Sequence, residues 1–81
     1  MIRSKVFWQQ RERPGYWKTC TVKKARDIDY LREVHADHVI VLHTEHFEDE
    51  LNALVWYWRD RGVRVECYER DTKDESEEAA E

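Results

Sequence analysis

An 81-residue chain holds one hydrophobic core and no more, because a domain of this size buries only about 60% of the surface its unfolded form exposes. With 41% apolar residues, four Trp, four Tyr and two Phe, it carries enough large side-chain area to fold cooperatively, which excludes wholesale disorder. The formal charge of −4 is unevenly spread: residues 1–34 sum to +5, residues 35–70 to −4 and residues 71–81 to −5, so the chain is basic first and acidic last.

Residues 2–12 and 16–23 are rich in Val, Phe, Trp, Tyr and Thr and flank the only Pro-Gly pair, Pro14-Gly15. This pattern predicts a β-hairpin. Ile2, Val6 and Trp8 fall on one parity of the first strand, and Tyr16, Cys20 and Val22 on one parity of the second. The two sets share a face only if the connection holds an odd number of residues, as in Arg13-Pro14-Gly15. Pro14 disfavours a helical Arg13, which leaves the register open.

Asp27 is a candidate cap for a short helix over about residues 28–35, with Ile28, Leu31 and Val34 or His35 recurring at helical spacing. His38 to His43 is a short β-branched run, apolar on both parities, as in a central strand buried on both faces. The next segment predicts a helix over about 45–61, with Thr44 as its N-cap, Glu45, Glu48, Asp49 and Glu50 at its positive end and Gly62 after its C-terminus. Phe47, Leu51, Leu54, Val55 and Trp58 make one buried stripe. Val63, Val65 and Cys67 then alternate with polar residues as a last strand. The segment 71–81 has no large apolar side chain and a high charge density, so it reads as a disordered acidic tail outside a compact domain of residues 1–70.

The order β-β-α-β-α-β predicts an α+β, or small α/β, fold: a mixed four-stranded sheet with an N-terminal hairpin and two helices. Both helices belong to strand–helix–strand units that imply right-handed crossovers. If the crossovers step in one direction, both helices lie on one face and the other needs a cover, for which a homodimer or a partner protein are two answers. Helices on opposite faces would remove that need. The sequence leaves the choice open.

Several function classes find little support. No apolar run approaches the roughly 20 residues needed to cross a bilayer, the N-terminus lacks a signal-peptide core, and Cys20 and Cys67 show no paired spacing; a reducing, cytoplasmic setting and no membrane association are expected. Two glycines cannot build a phosphate loop. Ser4 and Ser76 lack a nucleophile context, and both cysteines sit on apolar strand parities, where the thiol acts as a small hydrophobe. His35, His38, His43 and His46 cluster with carboxylates nearby, but His38 and His43 have opposite strand parity, so one shared metal site is not expected. No catalytic residue, metal or cofactor is predicted.

Two surfaces remain, of opposite charge. On the hairpin, Lys5, Phe7, Arg11 and Arg13 beside Trp17 and Lys23 interleave basic and aromatic side chains, a chemistry that suits single-stranded nucleic acid through base stacking and phosphate contacts. On the second helix, Trp56 projects about 180° from the buried stripe, with Glu45, Asp49, Asn52 and Asp60 around it. An exposed Trp among carboxylates suits a basic protein partner, such as a nucleic-acid-binding protein. Small size, an acidic tail, no active site and an exposed aromatic among carboxylates together resemble the traits of phage-encoded inhibitors, anti-CRISPR proteins included. The resemblance rests on no residue motif, and it implies a non-enzymatic inhibitor that docks its acidic helix face on a nucleic-acid-handling protein. Nucleic-acid binding by the hairpin is the alternative.

Overall fold

The computed structural model describes residues 3–70; Met1, Ile2 and the acidic segment 71–81 lie outside the described residues. The elements run β1 (Lys5–Gln9), β2 (Lys18–Thr21), α1 (Ala25–Glu33), β3 (His38–His43), α2 (Glu48–Asp60) and β4 (Arg64–Glu69). One sheet has the order β2-β1-β3-β4, with β1 antiparallel to both neighbours and β3 parallel to β4. The mixed α+β arrangement expected from the sequence is the one observed.

The hairpin keeps the parity of an odd connection. Val6 pairs with Cys20 and Phe7 with Thr19, so Val6 and Trp8 share a face with Cys20, while Lys5 and Phe7 lie with Thr19 and Thr21 on the other. The strands are shorter than expected because the connection is wide. The backbone N–H groups of Arg13 and Tyr16 close successive turns onto Gln10 and Arg13. The Gln9 side chain accepts the Gly15 N–H at 2.6 Å, and Gly15 adopts φ +83, a conformation that costs glycine least. Tyr16, expected on the core parity, is 59% exposed in this loop.

Both helices cover the same face. Val6, Trp8, Val39 and Val41 from the sheet pack with Ile28 and Leu31 of α1 and with Leu51, Leu54, Val55 and Trp58 of α2. Register explains the choice: Val6 opposes Val41 and Trp8 opposes Val39, so one parity of two central strands forms a continuous apolar floor. Fully burying each such side chain contributes roughly 1.5–3 kcal/mol.

Both helix starts differ from expectation. In α1 the cap position is Lys24, and Asp27 sits three residues in, its carboxylate accepting the N–H groups of Lys23 (2.8 Å) and Lys24 (2.9 Å). The acid serves the positive end of the helix from inside the first turn. Thr44 does not cap α2, because its hydroxyl is engaged elsewhere: it accepts the His46 N–H at 3.1 Å and lies 3.3 Å from Ser4 Oγ. The helix begins instead after Phe47, which caps it in the left-handed region at φ 61, ψ 32. A non-glycine residue there is uncommon, and it is held because the Phe47 ring packs against the core. Gly62, at φ +83, turns the chain out of α2, and Val63 N–H bonds back to the Trp58 carbonyl.

Ser4 ties the start of β1 to the β3–α2 turn. It accepts the Thr44 N–H at 2.9 Å and donates to the His46 carbonyl at 3.1 Å. Ser4 is fully buried, so its hydroxyl acts as an internal clasp between the two segments.

Candidate interaction surfaces

The exposed side of α2 is an ordered stripe. Asp49, Asn52, Trp56 and Asp60 are all exposed and recur at i, i+3, i+7 and i+11, so they follow one line along the helix. At 1.5 Å per residue the stripe is about 16 Å long. Trp56 is 68% exposed, the largest value among the exposed large apolar side chains, whereas Trp58, two residues on, is 2% exposed. The contrast follows from helical geometry: Trp58 continues the buried line of Leu51, Leu54 and Val55, and a step of two residues turns the side chain about 200°.

Arg59 lies over the Trp56 ring at 5.9 Å, which fixes the indole loosely and leaves its outer surface in solvent. Ala53, Tyr57, Arg59 and Asp60 join Trp56 around a shallow depression. Glu45 is exposed as well, in the turn before the helix, at the acidic end that Glu48, Asp49 and Glu50 continue. A large flat ring with carboxylates at both ends and a small residue beside it can receive an aromatic or aliphatic group of a partner flanked by Lys or Arg.

The basic–aromatic hairpin set does not come together. Lys5, Phe7 and Trp17 share the sheet face turned away from the helices: strand parity places the first two there, and the Trp17 ring meets His38 edge-on at 5.1 Å. Arg11 and Arg13 sit in the loop, the first 3.4 Å from the Asp37 carboxylate and the second 5.4 Å from the Tyr16 ring. Lys23 follows β2 next to α1, where its N–H is bound to Asp27. The sequence pattern missed this because it extended both strands through the loop.

That helix-free face has a defined layout. Its central positions are Phe7, Ile40 and Leu42, all partly exposed, with Phe7 opposite Ile40. Tyr68, 51% exposed, flanks Leu42. On the β4 side, the Glu66 carboxylate accepts from His38 Nε2 at 2.5 Å and from the Tyr68 hydroxyl at 2.6 Å. The Tyr68 hydroxyl and His38 hold the Glu66 carboxyl below the usual range, and Glu66 in turn pushes the Tyr68 hydroxyl up. Sequence parity had placed Ile40 and Leu42 on one strand face; what it could not show was that both helices would choose the other.

Asp27 is also held low. Partial burial pushes its carboxyl up, but the N–H groups of Lys23 and Lys24, with the charges of Arg26 and Lys23, outweigh that. Cys20, on the helix-side parity, has its thiol pushed up by burial and then by Asp27; Cys67, on the same parity of the edge strand, is exposed. The four histidines do not converge: His35 is exposed, His38 is bound to Glu66, His43 ends β3 partly exposed, and the His46 ring packs on Phe47 at 4.5 Å. Among the described residues no three His, Cys, Asp or Glu side chains gather as a metal site, and no helix is long and apolar enough to cross a membrane. No protein-family model, curated protein or solved structure matches the chain.

Proposed function

We propose that the protein is a non-enzymatic binding module that docks the acidic stripe of α2 on a basic protein partner, in the manner of a small cytoplasmic inhibitor of a nucleic-acid-handling protein. The observation that carries this reading is Trp56, 68% exposed in the middle of a rigid helix whose other Trp is core. Trp is enriched among the residues that dominate binding energy, and one held on a regular helix loses little conformational freedom on docking. Asp49 and Asp60 at either end of the stripe supply charge that would speed encounter with a cationic site and reject acidic ones. The hairpin alternative draws less support, because Arg11 and Arg13 are turned to Asp37 and Tyr16.

The test is direct binding of the full chain to a panel of purified basic DNA- and RNA-binding proteins, with wild type, Trp56→Ala and the double charge reversal Asp49→Lys/Asp60→Lys compared. A true partner loses affinity about 30-fold or more on Trp56→Ala, equivalent to about 2 kcal/mol. Equal binding by wild type and Trp56→Ala would remove the stripe from the function. Direct, salt-sensitive binding of labelled single-stranded or double-stranded DNA or RNA by the protein alone would move the function to nucleic acid.

A further inference from the structure

From the layout of the helix-free sheet face we infer that it is the contact surface for a second copy of this chain, packed sheet to sheet. The face has the anatomy of an interface, an apolar centre of partly exposed side chains inside a polar rim. Its charge is small, Lys5 and Arg64 against Glu66, with Arg64 and Glu66 4.0 Å apart. A copy therefore meets no large field of like charge, as it would on the acidic stripe of α2.

The register makes the face self-complementary. A two-fold axis parallel to the strands, midway between β1 and β3, carries β1 of one copy over β3 of the other and β2 over β4. Rows set by the strand register then face one another in reciprocal pairs. Phe7 meets Ile40 in the centre. Thr19, whose hydroxyl can donate, meets the Glu66 carboxylate. Trp17, beside His38, meets Arg64, whose side chain is 73% exposed and able to lie over an indole ring. Each pair occurs twice, as closed two-fold symmetry requires.

Size sets the affinity. Strands of four, five, six and six residues, about 4.8 Å apart, present a footprint of about 330 Å² per copy. Doubled, that is about 670 Å², below the roughly 1,200–2,000 Å² of standard specific interfaces and in the range of weak, transient contacts. The dimer should therefore be reversible, with dissociation in the micromolar range. The stripe of α2 lies on the far side of the molecule and stays open in such a dimer, so this inference does not rest on the function proposed above.

Sedimentation equilibrium of the untagged full chain from about 5 to about 500 μM tests it, a range chosen to bracket micromolar dissociation. The expected result is a monomer–dimer equilibrium whose dissociation constant rises about tenfold or more with Ile40→Lys. Ile40 is partly buried, so a second variant, Trp17→Ala, guards against misfolding; its ring lies outside the strands and its loss should raise the constant by a similar factor. Trp56→Ala should leave dimerisation unchanged. A single monomeric species throughout overturns the inference, as does a dimer indifferent to both sheet-face variants. Binding of labelled oligothymidylate that is lost in those same variants, with no dimer formed, would overturn it in favour of nucleic acid.

Discussion

Trp56 and Trp58 are two residues apart, and replacing each by Ala should have opposite consequences. Trp58 is 2% exposed and packs with Leu51, Leu54 and Val55. Truncating a buried aromatic of this kind costs about 3–5 kcal/mol, the lost transfer energy plus the cavity. The described domain spans residues 3–70, and at roughly 0.05–0.15 kcal/mol per residue its total stability is about 3–10 kcal/mol. Trp58→Ala thus removes a third or more of it. Trp56 leaves only about a third of its surface covered. At about 25 cal/mol per Å² of a side chain that can bury 150–250 Å², that is about 1–2 kcal/mol, an upper figure because the unfolded chain also covers some of it. Urea unfolding followed by circular dichroism, which does not depend on either indole, measures both. The expected order is wild type, then Trp56→Ala close behind, then Trp58→Ala far below. If Trp56→Ala destabilises as much as Trp58→Ala, Trp56 is part of a packed layer and the stripe is not a docking surface.

Two further outcomes can be read with the same assay. Ser4→Ala removes the acceptor for the Thr44 N–H and the donor to the His46 carbonyl at a site closed to water, and should cost about 1–3 kcal/mol; a loss under about 0.5 kcal/mol, the range of ordinary surface changes, would contradict the clasp. Glu66 and Asp27 both have carboxyls held low in the folded state, so they bind protons less readily folded than unfolded. The stability they contribute is present above the unfolded carboxylate range of about 3.9–4.3 and is lost as pH falls through their folded values. Both groups are partly exposed, so salt should shrink the effect. The double variant Glu66→Gln/Asp27→Asn should show a shallower loss of urea resistance below about pH 5 than wild type; parallel curves would mean neither carboxylate is preferentially charged in the folded state.

Local signals were legible wherever one residue type had one job. His38 to His43 was readable as a strand to the residue, because an uninterrupted β-branched run has few alternatives. The buried line of α2 and the outward Trp56 followed from periodicity alone. Helix starts were less readable, since Asp27 and Thr44 have the right chemistry for a cap and the chain uses each differently. The Asp27 carboxylate reaches back from the first turn, and Thr44 is taken by Ser4, forty residues away. A partner so distant in sequence leaves no local trace. The hairpin set is divided between sheet face and loop for a related reason: the connection is wide, with the Gln9 side chain bonding Gly15 within it, and composition cannot distinguish a strand end from a loop built of the same residues.

The placing of β1 between β2 and β3 divides the molecule into unequal halves. Residues 38–69 form a strand, a helix and a strand that hydrogen-bond to each other directly, so this half owns its pairing. Among the described residues, strand β2 has no ladder except the one to β1, and β1 must reach more than thirty residues along the chain to pair with β3, Lys5 with Leu42. The N-terminal strand therefore holds the two halves together, and whatever loosens it, at Ser4 or in the floor formed by Val6 and Trp8, strips one wall from the core that both halves share.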